Sequence, residues 1–163
     1  MPVLSAPLAA TALALAGVRS GASVLDLAPA SGLGPALRAG AGPTGTVTEA
    51  AEALDPALGG PDHAVLVSTT ATAETVLARL AAVRPPLTRA TRVTLGCAGD
   101  RPWMLQVLSR ASGWALVHLE VVAAAAGVDP ATLVFAVLRA VPPAPAGAGR
   151  SSTQVGGPGG RWV

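Results

Sequence analysis

The sequence predicts an α/β protein: a three-layer sandwich whose sheet is mostly parallel and ends in an antiparallel hairpin. Three observations carry that prediction. Short β-prone apolar runs alternate with helix-prone stretches over residues 6–111. The run from His63 to Ser68 is almost continuously apolar, the pattern of a strand covered on both faces. Two β-prone runs, residues 114–122 and 132–141, are joined by residues 123–131, too few for a helical crossover and suited to a hairpin.

Each element follows from local chemistry. Residues 6–16 are rich in Ala and Leu and favour a helix, with Gly17 as its stop signal. Residues 23–27 read as the first strand and 32–39 as the first crossover helix, where Gly34 is flexible and Pro35 is tolerated in the first turn. Residues 46–49 read as a short strand, and 49–58 as a weak helix ending at Gly59 and Gly60. Residues 72–83 make the best amphipathic helix, with Val76, Leu77 and Leu80 on one face, Glu74 and Arg79 toward solvent, and Pro85-Pro86 as the stop. Residues 92–97 read as a strand, and 102–111 as a helix packing through Trp103, Leu105 and Leu108. Beyond Pro142 the chain turns to Pro, Gly, Ser and Ala without period, so residues 1–141 are expected to form one domain and 142–163 a disordered tail.

Composition bounds the function. The 163 residues are 51% hydrophobic and 12% charged, which suits a folded domain with a real core. All 11 basic residues are Arg, and Lys, Asn, Ile and Tyr are absent, a bias of GC-rich codons that inflates Ala, Gly and Pro matches. The net charge is only +2 and the arginines are scattered, apart from Arg84, Arg89 and Arg92 near one loop, so no nucleic-acid surface is read. The single Cys97 excludes an internal disulfide and a cysteine zinc cluster and reads as a buried small hydrophobe; no metal site is expected. No segment reads as an export signal or a membrane span, since no basic residue precedes the apolar residues 8–17 and Arg19 follows closely; the expected location is the cytoplasm.

The most specific stretch is Val24-Leu25-Asp26-Leu27 running into Ala28-Pro29-Ala30-Ser31-Gly32, with Gly17-Val18-Arg19-Ser20-Gly21 before it and Gly42-Pro43-Thr44-Gly45-Thr46-Val47-Thr48 after it. It resembles the first βαβ unit of the class I S-adenosylmethionine (SAM) methyltransferases, usually read V-L-D-L-G-x-G-S/T-G. Asp62 with Ala64-Val65-Leu66-Val67 resembles the family's fourth motif. Val83-Arg84-Pro85-Pro86 before Arg92-Val93-Thr94-Leu95 resembles its L-R-P-G-G-R-L-V-L turn and strand, and Ala111-Ser112-Gly113-Trp114 its A-G-F step. The resemblance covers residues 8–141 and implies a Rossmann-like fold, SAM as cofactor, and methyl transfer to an acceptor that the chain does not identify. It implies cofactor contacts at Asp26, Ala28, Ala30, Gly32 and at Glu49 or Glu52.

Three departures from the pattern bear on that reading. Ala28 and Ala30 replace family glycines that let backbone approach the cofactor, and only Gly32 remains. The acid that grips both ribose hydroxyls falls, by counting from Gly45, at Ala51, with Glu49 two positions before it and Glu52 one after. Between Glu52 and Asp62 only about ten residues stand where the family fits a further strand, so the sheet is expected to be one strand short of seven.

Asp62 and His63 are weak catalytic candidates, expected at the cofactor edge of the sheet; His118 reads as a core or edge histidine. Ser68, Thr69 and Thr70 follow a strand at its carboxyl end and read as helix caps or pocket hydroxyls. Trp103 reads as a packing anchor, and Trp162 lies in the tail. Ala30-Ser31-Gly32-Leu33-Gly34 also matches the A-S-G-I/L-G turn of short-chain dehydrogenases, but with no Tyr or Lys their catalytic pair has no counterpart. The sequence thus leaves a compact methyltransferase, a non-catalytic relative that kept the fold as an interaction module, and, last, a nicotinamide-dependent reductase remnant. A homodimer that completes the shortened sheet stays open.

Overall fold

The computed structural model describes residues 4–49, 61–83, 91–123 and 132–141. The expected helix over residues 49–58, Ala51, Glu52, Arg84, Arg89, the hairpin loop from residue 124, Trp162 and the tail lie outside these residues.

Helix α1 spans Ala6–Ala16 and ends where Gly17 takes a left-handed φ of 61° and returns its N–H to the Leu13 carbonyl. Leu8, Ala12 and Ala16 repeat every four residues and form its buried stripe. Strand β1 spans Ser23–Asp26, α2 spans Gly34–Ala41 and β2 spans Thr46–Glu49. Strand β3 spans His63–Ser68, α3 spans Ala73–Val83, β4 spans Arg92–Ala98 and α4 spans Arg101–Ser109. Strands β5, Trp114–Ala123, and β6, Thr132–Ala140, form the antiparallel hairpin.

Among the described residues the six strands make one sheet in the order β2-β1-β3-β4-β6-β5, parallel from β2 to β4 and antiparallel at β6 and β5. The α/β sandwich with a hairpin-closed parallel sheet is as the sequence predicts. Side-chain alternation divides the core. Leu25, Leu66, Val93, Leu95, Val134 and Leu138 pack with α3 and α4 on one face, and Val24, Val65, Val67, Leu133 and Phe135 pack with α1 and α2 on the other. Strand β6 is therefore buried on both sides, whereas β5 is an exposed edge, with Leu116, Val117 and Val121 each more than 40% accessible and a bulge between Leu116 and His118. Gly96 makes the second core possible: a Cβ there would stand 2.5 Å from the Phe135 ring.

Two local expectations are corrected. The first crossover helix begins at Gly34 because Pro29–Ser31 form a separate 3₁₀ turn, closed by Gly32 at a φ of 80°. Helix α4 buries Met104 and Val107, not Leu105, which is 44% exposed. Asp100 caps that helix by accepting the Trp103 N–H at 2.8 Å, and the resulting phase turns Leu105 away from the sheet, leaving Trp103 and Leu108 packed at the margin. Cys97 is fully buried, and desolvation pushes its thiol pKa up to about 12, so it is protonated and inert at neutral pH. No helix among the described residues is long and apolar enough to cross a membrane.

Candidate functional site

Sheet order reverses between β1 and β3: the chain leaves β1 toward β2 on one side, then returns to place β3 on the other. Such a switch point opens a crevice at the carboxyl ends of the strands, where open α/β sheets hold ligands. Here its walls are Leu27 and Ala28, just after β1, and Val67 to Thr70 at the end of β3, while Asp26, the last residue of β1, lies buried behind them. The turn Ala28–Ser31 divides the space. On the α1 side a hollow of about 80 Å³ is lined by Leu4, Ala28, Ala30, Ser31, Ser68 and Thr70 among others. On the α3 side a second hollow of about 320 Å³ runs past Leu66, Ala71, Thr75 and Arg79. Gly32 lines neither.

Asp26 is the most unusual residue of this edge. It is 1% exposed, its Oδ1 accepts the Ala28 N–H at 3.0 Å, and its Oδ2 is buried with no hydrogen-bond partner. Burial raises its pKa above the usual aspartate value; the Ala28 N–H opposes that shift, nearby Glu49 adds to it and Arg38 offsets it. A buried carboxylate oxygen without a partner is destabilising unless a ligand or ordered water meets it.

Glu49 ends β2 directly opposite Asp26 in the parallel register, so the two acids stand side by side on strands whose usual spacing is about 4.8 Å. Residue counting pointed to Ala51; the strand end falls on Glu49. Its carboxylate bonds Arg38 Nη2 of α2 and lies beside Gly34, at the positive end of that helix. Both members of the pair are about half exposed, so the Arg38 guanidinium can exchange for another donor at small energetic consequence.

The turn itself offers less than the family pattern implies. The Ser31 N–H bonds the Ala28 carbonyl at 2.9 Å and the Gly32 N–H bonds the Pro29 carbonyl at 3.3 Å, so these amides are occupied within the turn. Ala28 is half-buried and Ala30 exposed, and both residues line the two hollows. Ser68 accepts the Thr70 N–H at 3.3 Å and shapes the loop, while the cap of α3 is Thr72, whose Oγ1 accepts the Thr75 N–H at 3.3 Å.

Asp62 and His63 lie elsewhere. His63 begins β3 and pairs with Val24 and Arg92 at the amino edge of the parallel strands, about 16 Å from the carboxyl end by strand rise. The expectation that they sit at the cofactor edge is therefore corrected. Asp62 instead ties β3 to β1: its Oδ2 accepts the Ser23 N–H at 2.8 Å and the Ser23 hydroxyl at 3.3 Å. Burial lowers the His63 pKa, with Asp62 opposing and Arg92 and Arg19 reinforcing the shift. His118 is an edge residue beside Glu120 at 3.2 Å. Among the described residues no three His, Cys, Asp or Glu side chains gather as a metal site would require.

No protein-family model matches the chain, and no curated protein matches it. Solved structures do. The chain is similar to a SAM-dependent O-methyltransferase from Thermotoga maritima, with a TM-score of 0.63 at 10% identity over 88% of this chain and 68% of that one. It is similar to a precorrin-6y C5,15-methyltransferase from Geobacter metallireducens, with a TM-score of 0.58 at 11% identity over 84% and 90%. It is likewise similar to the N-methyltransferase NodS from Bradyrhizobium japonicum in complex with S-adenosylhomocysteine, with a TM-score of 0.58 at 12% identity over 82% and 86%. The chain thus has the class I methyltransferase fold, with six strands described where the family pattern has seven. At this identity the likeness is one of fold.

The donor set bears on the cofactor that this fold family uses. A ligand carrying an ammonium group and a vicinal diol fits the two carboxylates: the unpartnered Asp26 Oδ2 suits a cation, and Glu49 offers two oxygens in bidentate fashion.

Proposed function

We propose that the chain is a SAM-dependent methyltransferase that binds its cofactor across the carboxyl ends of β1, β2 and β3 and methylates an unidentified acceptor. The observation that carries this reading is the buried, unpartnered Oδ2 of Asp26 beside Glu49 at the topological switch point. SAM, when bound, supplies an electrophilic methyl group. Asp26 fixes the turn through the Ala28 N–H and holds the ligand's ammonium; Glu49 releases Arg38 and accepts the ribose hydroxyls. Ala28, Ala30 and the Ser68 and Thr70 hydroxyls shape the wall against which an acceptor is aligned. Catalysis here rests on positioning, with acceptor and methyl group held in line. Asp62 and His63, at the opposite edge, take no part in it.

A second reading, a non-catalytic module that kept the fold, is favoured by the closed turn, whose Ser31 and Gly32 amides bond internally. Calorimetric titration with S-adenosylhomocysteine separates the two. The enzyme reading expects micromolar binding that weakens about tenfold or more in Asp26→Ala, the loss of one charge-assisted hydrogen bond. No heat and no thermal stabilisation at millimolar ligand would leave the module.

A further inference from the structure

The amino edge of the sheet carries a feature that the cofactor reading does not use. His63, Arg92 and Arg139 stand side by side on β3, β4 and β6, His63 opposite Arg92 and Arg92 opposite Arg139. Registered residues share a sheet face, here the one covered by α1 and α2, and the row is about 10 Å long at the usual strand spacing. Arg19, from the loop after α1, joins it, and with Ser20 and Asp62 these residues line a hollow of about 420 Å³.

The charges in this hollow are not balanced from within. Like charges directly opposite on antiparallel strands repel, and Arg92 and Arg139 are such a pair. The ion pairs of Arg38 with Glu49, Arg110 with Glu74 and His118 with Glu120 leave Arg19, Arg92 and Arg139 out, and no acid among the described residues pairs with these three. Asp62, the one acid among the described residues that line the hollow, already accepts two hydrogen bonds from Ser23. The carboxyl end of α1, beside Arg92 at Gly17, offsets a fraction of one charge. Two nitrogens of the wall, His63 Nδ1 and Arg92 Nε, are buried without a hydrogen-bond partner.

We propose that this hollow is a binding site for the phosphate group of a small phosphorylated ligand. Three guanidiniums against one carboxylate leave two positive charges, which match a phosphate dianion better than a single carboxylate. Guanidinium forks pair with phosphate oxygens in bidentate fashion, and the Ser20 hydroxyl adds a donor at the rim. The volume admits a ligand larger than the phosphate alone. The site is independent of the cofactor reading, since it lies at the other end of the strands.

The test is calorimetric titration of the full chain at low ionic strength with sodium pyrophosphate and, separately, with ADP, using Arg19→Gln, Arg139→Gln and, as a control outside the hollow, Arg110→Gln. Arg19 and Arg139 are exposed, and circular dichroism checks that each variant is folded. The expected result is saturable pyrophosphate binding, weakened about tenfold in Arg19→Gln and in Arg139→Gln and unchanged in Arg110→Gln. Equal affinity for ADP would assign the site to the phosphate group itself, and tighter ADP binding to a nucleotide. Absence of saturable binding to either, or equal weakening by Arg110→Gln, would overturn the proposal.

Discussion

Asp26 is held against its own preference. An acid whose pKa is raised by burial keeps its proton more tightly in the fold than in the unfolded chain. Its contribution to stability is therefore greatest at low pH and is lost as pH rises from the unfolded value through the raised folded one. Asp26→Asn keeps an oxygen for the Ala28 N–H and removes the charge. It should melt at a higher temperature than the wild type at pH 7, with the gap closing toward pH 4, as thermal melts at both pH values would read. A lower melting temperature at pH 7 would mean that some group already stabilises the carboxylate. Loss of ligand affinity in a more stable variant is the signature of a residue kept for binding. The sequence marked Asp26 through its place at a strand end, but not its orphaned oxygen, which depends on the burial of its neighbours. Spacing left Glu49 and Glu52 as alternatives around Ala51, because the register that sets Glu49 opposite Asp26 is a property of the assembled sheet.

Elements were legible where their environment was uniform. His63–Ser68 was read to the residue because both faces are covered and the apolar run has sharp ends, and Ala6–Ala16 because Gly17 stops it. The crossover after β1 was misread by two residues because the chain makes a Pro29-initiated turn before the helix, and the helix period alone did not choose between Met104 and Leu105 as the buried side of α4. Strand direction was the costliest omission: His63 opens a parallel strand, so it belongs to the amino edge, away from the ligand crevice. At this scale β4 and β6 fit closely, Gly96 lying under the Phe135 ring. Gly96→Ala should crowd the Phe135 ring and Val67 and lower stability by about 1–3 kcal/mol. That corresponds to a fall of several degrees in melting temperature, at roughly 2–4 °C per kcal/mol for a chain of this size. Gly96→Ala with Phe135→Leu should recover part of the loss, whereas an unchanged melting point for Gly96→Ala alone would show that the layer is loose.

For the whole molecule, α1 links the two proposed sites: Leu4, just before it, lines the carboxyl crevice, and Gly17, just after it, lines the basic hollow. The layering that makes this arrangement was evident in the alternation of strand and helix, while the two hollows arise only when loops distant in sequence meet at the ends of strands. The sheet is also asymmetric at its flanks. Strand β5 offers a ten-residue flank with Val117 52% exposed at a bulge, and no strand among the described residues pairs with its outer side. Such a flank can template further chains, and a single Lys suffices to blunt it. Concentrated samples should therefore scatter more light with time than those of Val117→Lys, at equal circular dichroism; identical scattering would clear β5 of the effect. The shelf life of a solution of this protein then hangs on one outermost strand, and a stock kept for ligand titrations should be judged by its turbidity before its affinity.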